Sequence, residues 1–444
     1  MDGQEIAPPL ALSASERRRQ KAFLFAPEIP GHIQELVEGY IEQKTGKPRD
    51  DPKVLDRLRN AVMVQKSRYW NRRERKAIPY RKGYQVLGYL AYHFPVYMIQ
   101  FEHILLQLAD DGLLKDRMRI LDAGTGPGVV PLAVIDFLGR LDDGRAEIHA
   151  IERSEEHLEA YAALVPPAAA AAGGRVRVMP PIRADIASLS PDTIPDGIDL
   201  LVFSNVLNEL SDQSIDERAD IVMALAEKVA DGGIVVIVEP ADLANATTLR
   251  QTALALTDRG LAMHRPCSFI WGTRCRPERC WTFEQKGNIR PTRLAERLAG
   301  ESGAYRFVNV DIKYASAVLR KGGLPRQAVR VPRGAKFARF SQLGRHRDRH
   351  INAVGALMSG DLGSGAGSVY LLCDGTPAKP VYAVVPARLR GEIRSALRKV
   401  PYGDIVELHD VIVRYNREHD AYNLVVHKKT RIRRVACGDP AERG

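Results

Sequence analysis

A glycine-rich segment at residues 121–128 contains the residues best suited to bind a charged small molecule. It reads LDAGTGPG, extends an apolar strand-like run, and leads into a second apolar run at 129–138 that predicts a helix. Glycine lets the backbone approach a ligand closely, and a helix N-terminus offers unpaired N–H groups and a positive dipole end. The spacing of Gly124, Gly126 and Gly128 differs from the G-x-G-x-x-G of many dinucleotide sites, so we expect a ligand other than NAD.

Three acidic residues follow the predicted strands in the order that an adenosine-binding site requires. Asp122 lies in the glycine-rich segment, Glu152 ends the run EIHAIE, and Asp185 follows the next predicted strand. A carboxylate in the position of Glu152 can accept hydrogen bonds from both hydroxyls of a ribose. Asp185 is placed to bond an adenine amino group. The pattern therefore predicts a site for an adenosine-containing cofactor.

The elements that must hold these residues are alternating strands and helices. Further predicted strands cover residues 147–152, 175–179, 198–204 and 233–239. Continuous apolar strands of this kind suit a parallel sheet that is buried on both faces. The pattern resembles class I S-adenosylmethionine-dependent methyltransferases, which have a Rossmann-like α/β core. Ser204 and Asn205, after the fourth strand, complete the predicted cofactor-binding set; an unrelated doubly wound domain whose glycines only turn the chain is the alternative.

Three of the five cysteines crowd into one turn-rich segment, at Cys267, Cys275 and Cys280. Thiolates this close together suit a zinc ion or an iron–sulfur cluster, which needs soft ligands around one point. Cys373 is the natural fourth ligand because it would join two domains, whereas Cys437 lies in a polar tail and is expected to be free. The spacing matches no standard zinc ribbon, and residue types alone do not separate zinc from a [4Fe–4S] cluster. Ordinary surface thiols are the remaining alternative.

The chain is basic, with 65 Lys and Arg against 54 Asp and Glu and a formal net charge of +11. This charge favours a polyanionic partner. The segment KSRYWNRRERKAIPYRKGY, which begins at residue 66, interleaves cations with rings that can stack on bases, and a second basic stretch covers 326–350. A solvated helix face followed by a linker is the alternative. The predicted RNA-binding residues are Arg72, Arg73, Arg75, Lys76, Arg345 and Arg347.

The 444 residues are enough for two or three domains. After 351, three short strands, a helix and two strands, the last over 422–435, follow the order of an OB-fold barrel, in which Tyr370, Tyr382 and Tyr415 either stack on bases or fill the core. The predicted organisation is a flexible N-terminus at 1–30, a helical region at 31–116, a methyltransferase-like domain at 117–322 with a Cys-rich insertion at 264–283, a basic linker at 323–350, an OB-like barrel at 351–435 and a tail at 436–444.

The sequence contains no apolar run of about 18 residues and no signal-peptide pattern at its start. We therefore expect a cytoplasmic protein with no membrane partner. The oligomeric state is not predicted.

Several motifs together resemble the methyltransferase-like proteins associated with the mitochondrial ribosomal small subunit and their bacterial and archaeal relatives. The motifs lie between about residues 85 and 435, and they are GYLAYHFP, LDAGTGPG, DLLVFSNVLNEL, GGIVVIVEP, the cysteine segment, KYASAVLRK and YLLCDGTPAKPV. The resemblance implies S-adenosylmethionine binding and action on small-subunit RNA or a pre-ribosomal particle. It also implies a [4Fe–4S] cluster whose ligands are Cys267, Cys275, Cys280 and Cys373.

Catalysis is less well defined than binding. The segment SNVLNE at 204–209 lacks the prolines and the aromatic residue of the turn that many N-methyltransferases use, and it has no cysteine for cytosine-5 methylation. Asn205, Asn208 and Glu209 can position an acceptor, although capping and packing explain them equally well. Two hypotheses follow. The chain is either an RNA methyltransferase acting on small-subunit rRNA or a non-catalytic RNA-binding assembly factor with a structural zinc site.

Overall fold

A computed structural model describes residues 7–70, 83–272, 275, 277–300, 305–323, 329–365, 367–389 and 391–435. The chain forms two compact units. The first comprises Met1–Ile237 with Lys286–Ile312, and the second comprises Val238–Gln285 with Lys313–Gly444. In the described ranges, no helix has the length and apolar character needed to cross a membrane.

Five helices precede the first strand; the last four lie in the predicted helical region at 31–116, and the first lies in the segment predicted to be flexible. They are α1 Ala14–Phe25, α2 Gly31–Thr45, α3 Pro52–Trp70, α4 Gln85–Tyr92 and α5 Phe94–Asp110. A capping box starts α1, because the Ser13 hydroxyl accepts the Glu16 N–H at 3.2 Å and the Glu16 carboxylate accepts the Ser13 N–H at 2.8 Å. The described part of residues 1–30 therefore contains a regular helix. Pro95 falls in the first turn of α5, where proline is tolerated, so the helix restarts there.

The first unit is built on a sheet with helices between its strands. Its elements are β1 Arg117–Ala123, α6 Val129–Gly139, β2 Arg145–Glu152, α7 Glu155–Ala171, β3 Val176–Val178, β4 Ile182–Arg183, β5 Ile198–Ser204, α8 Ile215–Ala226 and β6 Val229–Pro240. The strands lie in the order β3-β2-β1-β5-β6, with β4 beside β2, and β1 pairs in parallel with both β2 and β5. The predicted Rossmann-like core of a class I methyltransferase is confirmed.

This strand order decides where a ligand can bind. The chain fills the sheet outwards from β1 in one direction and then continues in the other, so a topological switch point lies between β1 and β5. Open α/β sheets bind ligands in the crevice outside the carboxyl ends of the strands at such a point. Both strands are buried, as their apolar runs predicted, with Ile120, Leu121 and Val202 fully inaccessible.

The second unit begins with elements that flank the cysteine segment. These are α9 Leu243–Asp258, β7 Ala262–Arg265, β8 Glu284–Lys286 and β9 Ile312–Arg320, while α10 Arg293–Ala299 belongs to the first unit. β7 pairs antiparallel with β9, and β8 also pairs with β9. The cysteine segment is therefore the connection between two strands that share one neighbour.

A closed β-barrel forms the rest of the second unit. Its elements are β10 His350–Leu357, β11 Gly367–Cys373, β12 Val381–Pro386, α11 Glu392–Ser395, β13 Ile405–Asn416, β14 Ala421–Val425 and β15 Arg431–Arg434. Five strands close in the order β10-β11-β12-β14-β13, because β13 also pairs with β10. β12 and β14 are parallel, and α11 lies between the third and fourth barrel strands. This connectivity confirms the predicted OB-like barrel.

Two details of the barrel differ from the sequence-based expectation. The stretch predicted as one final strand is divided into β14 and β15, because the Thr430 N–H bonds the His427 carbonyl at 3.0 Å and turns the chain. The segment predicted as a basic linker supplies core residues to the barrel, with Phe340 and Leu343 buried. Tyr370 also fills the core, whereas Tyr382 and Tyr415 are partly exposed.

Candidate functional sites

The glycine turn combines unusual backbone angles with one open position. Gly124, Gly126 and Gly128 all have positive φ, at 77°, 56° and 95°. A Cβ on Gly124 would lie 2.6 Å from a Val206 methyl, and one on Gly128 would lie 2.2 Å from Val165. Those two glycines are therefore required by packing as well as by conformation. The nearest atom to a Cβ on Gly126 is His157 Nδ1 at 4.0 Å, so the backbone is open to a ligand there.

Glu152 is tied to the glycine turn at the carboxyl end of β2. Its carboxylate accepts the Gly126 N–H at 2.9 Å and the Ser154 N–H at 2.7 Å, and His157 Nδ1 lies 3.9 Å away. Burial alone would raise the pKa of Glu152, but His157 and the two backbone donors outweigh it and the pKa is lowered. The carboxylate is therefore ionised, and each oxygen keeps a lone pair for a ribose hydroxyl.

Asp122, the first predicted acid, lies in the interior beneath the turn. It is 1% exposed, and neither carboxylate oxygen has a hydrogen-bond partner among the described residues. Burial raises the pKa of Asp122 to about 7, and the charge of Glu152 adds to the shift. The structure therefore places this side chain in the protein interior rather than on an exposed ligand-binding surface.

Arg153, which the sequence analysis did not single out, connects two of the predicted residues. Its guanidinium lies 3.3 Å from an Asp185 carboxylate oxygen and 3.6 Å from a Glu209 carboxylate oxygen. Asp185 also accepts the Ala187 N–H at 3.0 Å. Burial raises the pKa of Glu209, and the charge of Arg153 opposes that rise. The predicted acids at separate strand ends thus belong to one charged network, and the position of Arg153 directly after Glu152 was the available signal.

The residues after β5 complete this edge of the sheet. Asn205 has a φ of 57°, a left-handed conformation that asparagine tolerates better than other non-glycine residues. Asn208 and Glu209 lie in a short 3-10 helix, Leu207–Glu209, directly after it. Ser204, Asn205 and both residues of this helix are partly exposed, so the structure leaves them accessible at the switch point.

Partly buried and buried aromatic rings form a series of contacts that reaches the glycine turn. The ring centroids are 5.7 Å apart for His93 and Tyr97, 5.9 Å for Tyr89 and His93, and 6.1 Å for Tyr89 and His157. Burial lowers the pKa of His93 to about 4, so this ring is neutral. The sequence analysis used this region only for its family resemblance. The helical spacing of Tyr89, His93 and Tyr97 was the signal that would have predicted one aromatic face.

All four predicted metal ligands line one cavity in the second unit. Cys267, Cys275 and Cys280 come from the segment between β7 and β8, and Cys373 ends β11. All four are free thiols rather than disulfides. Burial raises the pKa of Cys267 to about 12 and that of Cys275 to about 11, and it also raises the pKa of Cys373. These three thiols are therefore neutral at physiological pH unless a metal displaces their protons.

A second group of potential metal-ligand atoms lies in the barrel. Within the described ranges, one set of three potential ligand atoms lies within 4.8 Å of one another, and it is formed by His350, Asp410 and His427. Among the described residues, no three cysteine sulfurs form such a set. The histidine–aspartate set is already hydrogen-bonded, since His350 Nδ1 lies 2.5 Å from Asp410 and His427 Nδ1 accepts the Lys429 N–H at 3.3 Å.

A buried arginine lines the same cavity as the cysteines. Arg250, on α9, is 1% exposed and donates hydrogen bonds to Thr282, Tyr402 and the Ser316 carbonyl. Burial alone would lower the pKa of Arg250, but arginine does not lose its proton in proteins. The guanidinium is therefore charged. Sequence reasoning missed this residue because nothing in the pattern of α9 distinguishes it from a surface cation.

Of the predicted RNA-binding residues, the structure describes two. Arg72, Arg73, Arg75 and Lys76 lie outside the described residues, as does Cys437. Arg345 is exposed, and the guanidinium of Arg347 lies 4.4 Å from the centre of the Tyr415 ring. Tyr415 also contacts Tyr422, with centroids 5.3 Å apart, and the Lys379 ammonium lies 5.1 Å from the same ring. Cations and partly exposed rings thus share one face of the barrel.

The strand order and the glycine turn define the first unit as a class I methyltransferase-like fold. Residues 83–285 match the family model described as mitochondrial small ribosomal subunit Rsm22. Residues 341–435 match a model described as the C-terminal domain of a domain of unknown function, DUF8157. The first match confirms the predicted resemblance to methyltransferase-like proteins associated with the small ribosomal subunit. It contains the glycine turn, Glu152 and three of the four predicted metal ligands.

Solved methyltransferase structures are also similar to this chain. A putative sarcosine dimethylglycine methyltransferase from Galdieria sulphuraria is 11% identical over 51% of this chain and 86% of its own, with a TM-score of 0.31. A precorrin-6y C5,15-methyltransferase from Geobacter metallireducens is 16% identical over 48% and 87%, with a TM-score of 0.27. Similarities at TM-scores this low assign neither a substrate nor an activity. Among curated proteins, none matches the chain.

The buried Asp122 gives a prediction for the pH dependence of stability. Its folded-state pKa of about 7 lies above the ordinary value of 3.8. The unfolded chain therefore ionises first, and the free energy of unfolding of the wild type falls as the pH rises between those two values. Asparagine does not ionise. The stability of Asp122→Asn relative to the wild type should therefore rise by roughly 2 kcal/mol from pH 5 to pH 8, measured by urea denaturation. Asp185→Asn is the control at a more exposed position, and an Asp122→Asn effect that is equal at both pH values would contradict the assignment.

Proposed function

We propose that the chain binds S-adenosylmethionine at the carboxyl ends of β1, β2 and β5 and acts on small-subunit ribosomal RNA or on assembly of that subunit. The observation that carries the proposal is the ionised Glu152 carboxylate, at the end of β2, fixed to the Gly126 N–H of the turn that follows β1. A carboxylate in this place receives the ribose hydroxyls of a nucleoside. The family match over residues 83–285 supports the ribosomal part of the proposal.

Different residues of the site would bind different parts of this cofactor. Glu152 holds the ribose, Asp185 bonds the adenine amino group, and the open backbone at Gly126 allows close approach. Arg153 orients Asp185 through their 3.3 Å ion pair. When bound, the cofactor would supply an electrophilic methyl group. Asn205 is the side chain best placed to orient an acceptor, because it follows β5 directly and is partly exposed.

A non-catalytic assembly factor is the second candidate function. Glu209 lies 3.6 Å from Arg153, so it is engaged within the site rather than free to take a proton from an acceptor. The segment after β5 also lacks the proline-aromatic turn of many N-methyltransferases. In this case the cofactor fold would act as a scaffold for RNA-binding surfaces.

Cofactor binding is tested at Glu152. We expect Glu152→Gln to weaken binding of S-adenosylhomocysteine by about 10- to 100-fold, because it replaces a charged acceptor of two ribose hydrogen bonds with a neutral amide. Isothermal titration calorimetry measures the affinity. Glu155→Gln is the matched control, since Glu155 is exposed at the start of α7 and pairs with Arg183 at 3.1 Å. Wild-type protein that binds no cofactor would refute the proposal, as would unchanged affinity in Glu152→Gln.

One experiment separates the two candidate functions. Purified protein is incubated with methyl-labelled S-adenosylmethionine and immature small ribosomal subunits. The enzyme hypothesis requires label in the RNA, and it requires that Asn205→Ala reduces incorporation more than it reduces cofactor affinity. Saturated binding of cofactor and subunit without transfer of label would reject the enzyme and support the assembly factor.

We further propose that Cys267, Cys275, Cys280 and Cys373 hold a [4Fe–4S] cluster. Four thiols from separated parts of the second unit line one cavity, which is the donor set that such a cluster uses. The Gly375 N–H, 3.3 Å from the Cys373 sulfur, would stabilise a thiolate there.

The nature of this centre is tested by loss of one ligand. Anaerobically purified protein should show broad visible absorption with iron and acid-labile sulfide, and Cys275→Ser should lose most of all three. Cys437→Ser is the control, because that cysteine is expected to be free. A colourless wild-type protein that contains zinc would reject the cluster in favour of the zinc alternative.

For RNA contact, we propose the barrel face that carries Arg345, Arg347, Lys379, Tyr415 and Tyr422. Cations neutralise phosphates, and partly exposed rings stack on unpaired bases. The two tyrosines are neighbours on paired strands, since Tyr415 and Tyr422 are in direct register between β13 and β14. The face therefore offers both kinds of contact on a rigid element.

Charge reversal tests this face. The double variant Arg345→Glu with Arg347→Glu should retain small-subunit RNA less well, and the logarithm of its affinity should depend less steeply on salt, by about one unit of slope per lost phosphate contact. Filter binding at several salt concentrations measures both. The control reverses the same number of exposed charges in the first unit, at Arg177 and Arg183. Equal weakening in both double variants would mean that only net charge matters and would reject the barrel face.

A further inference from the structure

Arg250 is a buried cation, and its partners among the described residues do not balance its charge. It is 1% exposed and ranks among the largest fully buried side chains of the chain. A guanidinium keeps its charge in any protein environment, and a buried charge needs an opposite charge nearby. The group that supplies this opposite charge to Arg250 therefore has to be found near its side chain.

The hydrogen-bond partners of Arg250 are all neutral. Nε donates to the Thr282 hydroxyl at 3.0 Å, one terminal nitrogen donates to the Ser316 carbonyl at 2.6 Å, and the other donates to the Tyr402 hydroxyl at 2.9 Å. In the part of the chain that the structure describes, no carboxylate forms an ion pair with Arg250. These bonds satisfy donors, but they leave the positive charge uncompensated.

The cavity beside Arg250 is where a negative charge can form. Arg250 lines it together with the four cysteines. Four protonated thiols are neutral and give the guanidinium no counter-charge. Four thiolates around a zinc ion or an oxidised [4Fe–4S] core carry a net negative charge.

We infer that Arg250 is the counter-cation of a thiolate-bound metal centre and fixes its charge and position. This inference rests on the proposed cysteine site and adds a residue that does not touch the metal. Thr282 connects the two, because its hydroxyl accepts from Arg250 and lies 3.7 Å from the Cys280 sulfur, to which it can donate. The Tyr402 hydroxyl and the Ser316 carbonyl hold the guanidinium in place.

Two consequences follow from a fixed positive charge beside the centre. It opposes dissociation of the metal, because protonated thiols would leave the guanidinium without an opposite charge beside it. It also favours the more negative, reduced state of a cluster, so it raises the reduction potential. A purely structural arginine would have neither effect.

The test compares Arg250→Lys with Arg250→Gln in the full chain, purified anaerobically. Both variants lose the planar guanidinium, but only lysine keeps the charge. Metal loss to a chelator should be on the order of 10-fold faster in Arg250→Gln than in the wild type, with Arg250→Lys between them. The reduction potential of the glutamine variant should be lower than that of the lysine variant. Arg259→Met, at the end of the same helix, is the control and should match the wild type.

A comparison of loaded and metal-free protein separates the counter-charge from packing. Arg250→Gln should lower the melting temperature more in the loaded protein than in the metal-free protein, because only the loaded centre needs the cation. Equal losses in both states, or identical chelation rates and potentials in the lysine and glutamine variants, would overturn the role of Arg250. Wild-type protein that contains no metal would instead overturn the proposed cysteine site.

Discussion

A charge removed from water must have a compensating partner inside the protein, and this constraint shapes both candidate sites. At the sheet edge the buried Glu152 carboxylate is stabilised by two backbone N–H groups and by His157, so it remains ionised and available to a ligand. In the second unit the buried Arg250 guanidinium has three neutral acceptors and a cavity lined by cysteines. Among the described residues, the first charge has a histidine and two N–H donors beside it, whereas the second is hydrogen-bonded to neutral groups.

The two sites also differ in how the fold builds them. Parallel pairing of β1 with β2 and β5 brings three strand ends to one edge, and the ligand-facing residues follow each strand within a few positions. The cysteine cavity instead depends on closure of the barrel, because Cys373 ends β11 and reaches the cavity only when that strand is in register. Proximity along the chain explains three of its cysteines, and barrel closure supplies the fourth.

The sequence-based predictions were accurate for features that depend on adjacent residues and failed for features that depend on residues distant in the chain. The glycine turn, β1, β2 and β5 were predicted closely, since a turn, a helix start and a buried strand each depend on a few adjacent residues. The predicted linker failed at Phe340, which looks like an isolated apolar residue in a basic stretch but enters the barrel core. The final strand was predicted too long because the Thr430–His427 turn bond interrupts a continuous β-like pattern.

The sequence by itself determined the class of fold, the acid at the end of β2 and the four cysteines, because each leaves a local pattern of spacing and residue type. Only the tertiary structure decided that Arg153 joins Asp185 to Glu209, that Asp122 is buried with a raised pKa, and that Arg250 faces the cysteines. Burial and electrostatic compensation are set by residues distant in the chain. An arginine in a helix has the same local pattern whether it faces solvent or the interior.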